Sequence, residues 1–195
     1  MPSPSKASPD NLKGLALILC DAVRKMIRTK GEYDLSRDPV MHQKPVVSFH
    51  HRMRVDGMEK FNARTVFSAV KFYTDVKKLE LDQPLGALII FIQADEIARL
   101  MWSFDYPRID EDDDAMILDA CGTLTNLIAG YFVKEVRDFG RVHLQMSPFE
   151  SYINTAVNGI AFASDETEKY VIDFWIKGTK RIVAELTMGP VPVAY

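Results

Sequence analysis

An α+β fold, with helices packed on a largely antiparallel β-sheet, is what the order of hydrophobic patterns in this sequence predicts. Two observations carry it. A helical apolar stripe comes first, at Leu12, Leu15, Ala16, Leu19, Ala22, Val23, Met26 and Ile27. Strand-like runs follow, then two helical stretches close together, then strands to the end. Strands and helices do not alternate one for one, so a doubly wound nucleotide-binding fold does not follow.

Taken in order, Met1–Pro9 is rich in Pro and Ser and reads as a disordered tail, and residues 10–195 read as a single domain. Asp10 or Asn11 can cap the first helix, which should run to about Lys30 and stop at Gly31. Arg24, Lys25, Arg28 and Lys30 suit its C-terminal end. "GEYDLSRDPVMHQK" reads as a loop. "PVVSFHHRMRV", "ARTVFSAVKFYTDV" and "LGALIIFI" read as strands. "ADEIARLMWSF" supplies a short helix with Asp95 and Glu96 in its first turn, and "DYPRIDEDDD" leads to a long helix ending near Gly140. "VHLQMSP", "TAVNGIAFAS", "YVIDFWIKG" and "KRIVAELTM" are strand-like. In the third of these, Tyr170, Ile172, Phe174 and Ile176 alternate with Val171, Asp173, Trp175 and Lys177 and face the opposite side.

Composition narrows the function classes. A net charge of -3 gives no electrostatic reason to expect nucleic acid or an anionic membrane as partner. Apolar runs such as "LGALIIFI" are too short to cross a bilayer, and the N-terminus has no hydrophobic signal core, so a cytoplasmic protein is expected. Cys20 and Cys121 lie in helical patterns and read as buried thiols. His42, His50 and His51 are close in sequence, but neighbours on a strand point to opposite faces, and no carboxylate or thiolate completes a metal set. The acidic run Ile109–Asp114 lacks the glycine spacing of a calcium loop, and carboxylates at a helix N-terminus account for it. No phosphate-cradling loop or nucleophile elbow is present.

The helix containing "LDACGTLTNLIAGYF" is where chemistry is to be sought. Asp119, Thr123, Asn126 and Gly130 follow i, i+4, i+7, i+11, so at about 100° per residue they share one narrow arc, with Gly122 at its side. Opposite runs the stripe of Ile117, Ala120, Cys121, Leu124, Leu127 and Ile128. Two glycines cost such a helix roughly 1 kcal/mol each relative to alanine. Either close packing of a neighbouring element or a surface for a partner offsets that cost.

These residues, with "FGRVHLQMSP" after them, resemble the signature helix and following strand of the CheC/CheX/FliY chemotaxis phosphatases, most closely the CheX branch. The family pattern is Asp or Ser, three residues, Glu, two residues, Asn, then a Gly one turn on and a Pro at the end of the next strand. Asp119, Asn126, Gly130 and Pro148 match it, and Thr123 stands where the family has Glu. The order of elements from about Leu12 to Met188 is also that of the family's domain. The resemblance implies a protein that docks on a CheY-like receiver domain and removes phosphate from its phosphoaspartate. Asn126 would orient the attacking water, Thr123 would occupy the position that pairs with the receiver's lysine, and Asp119, Gly122, Gly130 and Pro148 would belong to the docking surface. No cofactor of its own is implied, because the receiver supplies the divalent metal ion. A homodimer is also implied. Loss of the Glu leaves a second function open, that of a non-catalytic interaction module keeping the fold.

Overall fold

The computed structural model describes residues 8–50, 52–163 and 165–194. Of the expected N-terminal tail, Met1 to Ala7 lie outside the described residues, whereas Pro9 is buried and its carbonyl accepts the Val191 N–H at 3.1 Å.

Helix α1, Leu12–Gly31, is capped by Asn11, whose side chain accepts the Gly14 N–H at 2.8 Å and so satisfies one of the unpaired first-turn amides. From Leu15 to Ile27 its stripe is buried as the periodicity requires, and Leu12 is half-buried. The left-handed residue that ends it is Glu32, at φ 55°, one position beyond the expected Gly31. The segment read as a loop holds strand β1, Val40–Pro45. Its mostly exposed side chains hide it from a hydrophobic pattern, because it is an edge strand held by pairing with β9. Strands β2 (Ser48–Phe49), β3 (Arg52–Asp56) and β4 (Thr65–Tyr73) follow, then a short helix α2 (Val76–Glu80) that the sequence reading lacks. Strand β5 (Gly86–Gln93) leads directly into α3 (Ala94–Trp102), and the long helix α4 spans Asp114–Asp138. Asp113 caps α4 by accepting the Ala115 and Met116 amides, which accounts for the acidic run as a helix start. Strands β6 (Gln145–Met146), β7 (Glu150–Ile153), β8 (Ala156–Ala161), β9 (Glu168–Ile176) and β10 (Thr179–Met188) complete the chain.

Seven strands form one antiparallel sheet in the order β1-β9-β10-β5-β4-β6, with β7 also pairing with β4, and β2-β3-β8 form a second sheet. The helices cover one face of the large sheet, and the small sheet covers part of the other. Alternation therefore splits each central strand between two cores. In β5, Leu88, Ile90 and Ile92 join the helix-side core, while Ala87, Ile89 and Phe91 join the core beneath the small sheet. That double burial is the reason "LGALIIFI" is apolar at every position. Each large side chain buried in either layer contributes about 1.5–3 kcal/mol.

Helix α4 is long and apolar enough, by length and composition, to pass for a membrane span, contrary to the sequence reading that no apolar run is long enough. It owes that character to its place at the centre of the helix layer, where Phe132 stacks obliquely on Phe72 of β4 with ring centroids 5.4 Å apart. On the other face of the large sheet, Glu185 is 1% exposed between two lysines. Lys169 donates a hydrogen bond to its Oε2 at 2.7 Å, and the Lys60 ammonium lies 2.5 Å from Oε1.

Candidate functional site

Helix α4 is fixed on several sides before any function is asked of it. Its stripe packs on α1 and the sheet, Lys25 reaches Glu135 across the α1–α4 groove at 2.6 Å, and Arg64 pairs with Asp114 at its N-terminal end. The remaining arc faces outward. Asp119 and Gly130 are exposed, and Thr123 and Asn126 are half-buried. Among the described residues no hydrogen bond or ion pair engages the side chain of Asp119, Thr123 or Asn126. The arc is thus a strip of uncommitted polar groups on a rigid core helix, one helical turn separating Asp119 from Thr123.

The two glycines of α4 differ in purpose. A Cβ on Gly122 would stand 2.2 Å from two ring carbons of Phe149, so the absence of a side chain there lets the ring close over the helix. Gly122 is buried and lies off the exposed strip. A Cβ on Gly130 would meet nothing within 4 Å. Packing within the chain therefore explains the first glycine and not the second.

Pro148 is exposed and sits in the break between β6 and β7, both of which pair with β4. It has no N–H to continue a ladder. Around it Ser147 takes over: its N–H donates to the Lys71 carbonyl, its Oγ accepts the Lys71 N–H, and its hydroxyl donates to the Pro148 carbonyl at 2.8 Å. Phe149, the next residue, is the ring that covers Gly122. Gly122 and Pro148 are thus brought together through Phe149, a residue the sequence reading did not single out, and the three join α4 to the sheet edge.

The histidines are placed differently from expectation. His50 lies in the turn between β2 and β3 at φ 49°, not on a strand, and His51 is outside the described residues. His42 is exposed on β1. Among the described residues no group of three His, Cys, Asp or Glu side chains could hold a metal ion. His50 instead lines a cavity of about 620 Å³ with Arg52, Lys78, Asp82 and Asp165, to which α4 contributes no residue. There Lys71, donating at 2.7 Å, holds the Asp82 carboxyl below the usual carboxylate range, with Tyr73 donating at 2.9 Å. Cys20 and Cys121 are free and buried, and burial pushes both thiols up, Cys20 to about 12.

No known family profile and no curated protein matches this sequence. Solved structures do match its backbone. A CheC-like superfamily protein from Shewanella sp. PV-4 superimposes with a TM-score of 0.54 at 15% identity, covering 88% of this chain and 95% of that one. The chemotaxis protein CheX from Desulfovibrio desulfuricans gives 0.53 at 13%, covering 89% and 98%. FliY from Thermotoga maritima gives 0.51 at 15%, covering 93% and 91%. At these identities the likeness is one of backbone, and it extends over nearly the whole length of each protein. The chain has the fold of the CheC/CheX/FliY chemotaxis proteins.

Proposed function

We propose that this protein docks on a CheY-like phosphorylated receiver domain through the exposed strip of α4 and that Asn126 promotes hydrolysis of the receiver's phosphoaspartate. The observation that carries the reading is the uncommitted Asn126 side chain, held on a packed core helix of this fold with open space at Gly130 one turn further on. An acyl phosphate in a receiver already has its own metal ion and lysine, so what a partner must add is position. The Asn126 amide supports a water in line with the phosphorus. The water oxygen bonds to phosphorus, the bond from phosphorus to the aspartate oxygen breaks with its electron pair staying on the carboxylate, and the water proton leaves with the phosphate or to solvent. Asp119 and Thr123 flank that point and meet the receiver. No cofactor of its own is required. The open edge of β1 is a surface on which a second copy can pair, and light scattering measures whether the chain is a dimer.

The test is the lifetime of phosphorylated receivers with wild type and with Asn126→Ala. Wild type is expected to shorten the lifetime of its cognate receiver and Asn126→Ala to abolish the effect; equal lifetimes across a receiver panel would sink the catalytic reading. Thr123 favours a second reading, a binding module without catalysis, because a threonine cannot form the ion pair a glutamate makes with the receiver's lysine. Such a charged hydrogen bond is worth about 1.5–3 kcal/mol, roughly ten- to a hundredfold in the productive complex. Thr123→Glu is therefore expected to raise dephosphorylation by about that factor. Receiver binding with no activity in either form identifies the module instead.

A further inference from the structure

The strip on α4 is a poor anchor. Asp119, Thr123, Asn126 and Gly130 present no aromatic ring and no guanidinium, whereas a specific interface buries about 800 Å² per partner and draws most of its energy from a few such residues. An anchor of that kind lies just beyond the N-terminal end of the strip. Trp102, the last residue of α3, is 68% exposed, the greatest exposure of any large hydrophobic side chain among the described residues. Met116, in the first turn of α4, is 38% exposed and lies one turn before Asp119. Between them Ile109 is tucked against the helix-side core and fixes the α3–α4 connection. Two adjoining cavities, of about 540 and about 370 Å³, share Arg108, Ile109 and Glu111; the first reaches Met116 and the second reaches Trp102. Through these shared residues the surface around Trp102 reaches Met116, which stands one helical turn before Asp119 on α4.

Its rim is charged with one predominant sign. Asp110, Glu111, Asp112, Asp113 and Asp119 are all exposed, against Arg108 in the connection and Arg99 of α3, which lines the Trp102 cavity and is paired with Glu96, while Arg64 nearby is paired with Asp114. The surface that fits has an apolar recess bordered by cationic groups. We infer that Trp102 and Met116 anchor the receiver, seating in a recess of its surface bordered by lysine or arginine, while the acidic rim draws that surface in. The inference rests on the proposed docking of a receiver on α4. It divides the labour along one face: Trp102 and the rim hold the partner, and Asn126 acts on it.

The experiment measures affinity and association rate of the full chain for a receiver held in its phosphorylated form by beryllofluoride. The variants are Trp102→Ala, the double reversal Glu111→Lys with Asp112→Lys, and Phe139→Ala as a control at the opposite end of α4, with thermal melts to confirm folding. Trp102→Ala is expected to weaken binding at least tenfold. The double reversal is expected to slow association and flatten its salt dependence, and Phe139→Ala to bind as wild type. Wild-type affinity in both Trp102→Ala and the double reversal overturns the anchor and leaves the reading of Asn126 standing. A wild-type chain that binds no receiver overturns both.

Discussion

Replacing each glycine of α4 by alanine isolates the contact that sets the helix against the sheet edge. In the interior of the helix, Gly→Ala gains roughly 1 kcal/mol from backbone entropy alone. That gain is common to both sites. At Gly130 nothing lies within 4 Å of the new methyl, so the gain should appear undiminished. At Gly122 the methyl would stand 2.2 Å from the Phe149 ring, and forcing an extra carbon into a packed contact costs about 1–3 kcal/mol. The difference between the two variants is that packing cost, because the helical gain cancels. In a domain of this size 1 kcal/mol moves Tm by about 2–4 °C, so Gly130→Ala should melt about 2–4 °C above wild type and Gly122→Ala roughly 2–12 °C below Gly130→Ala. Scanning calorimetry reads both, and a Phe149→Ala background supplies the control: there Gly122→Ala should stabilise as Gly130→Ala does. Equal stabilisation of the two single variants in the native background would refute the reasoning, since it would mean that Phe149 is not seated on Gly122.

Two further predictions concern the buried groups. Glu185→Ala strands the ammonium groups of Lys60 and Lys169 between the sheets and should destabilise the protein by about 3–5 kcal/mol, measured as a lower denaturant midpoint at unchanged slope. Burial raises the Cys20 thiol to about 12, so at pH 8 its thiolate is on the order of a thousandfold scarcer than for a free cysteine, and both thiols should react with a disulfide reagent only after unfolding. Because the folded value lies above the unfolded one of roughly 8.5, the stability that Cys20 contributes is complete below that pH and is lost as pH rises towards 12. A native-state reaction as fast as that of a small thiol would contradict the burial of both cysteines.

What was legible in the sequence was whatever shows as periodicity within one element. The α1 stripe, the continuous apolar run of β5, the two faces of β9 and the shared arc of Asp119, Thr123, Asn126 and Gly130 follow from 3.6- and 2-residue repeats, because side-chain direction along an element is fixed by local geometry, whereas the tertiary structure decided that the arc faces outward. Strand β1 was not legible, since all but Met41 of its residues are exposed and it exists by pairing with β9, more than a hundred residues away. The second sheet was hidden for a related reason: a run such as "LGALIIFI" says that both faces are covered and not by what. The sequence marked Gly122 and Gly130 as alike, and only the packing of Phe149 separated a glycine required by a neighbour from one that leaves space at the surface. Trp102 and Met116 are fourteen residues apart along the chain and read as ordinary hydrophobic positions in two helices. Their place at two adjoining cavities was decided by the turn of the α3–α4 connection and the packing of Ile109 against the helix-side core, a contact between elements that no local repeat encodes.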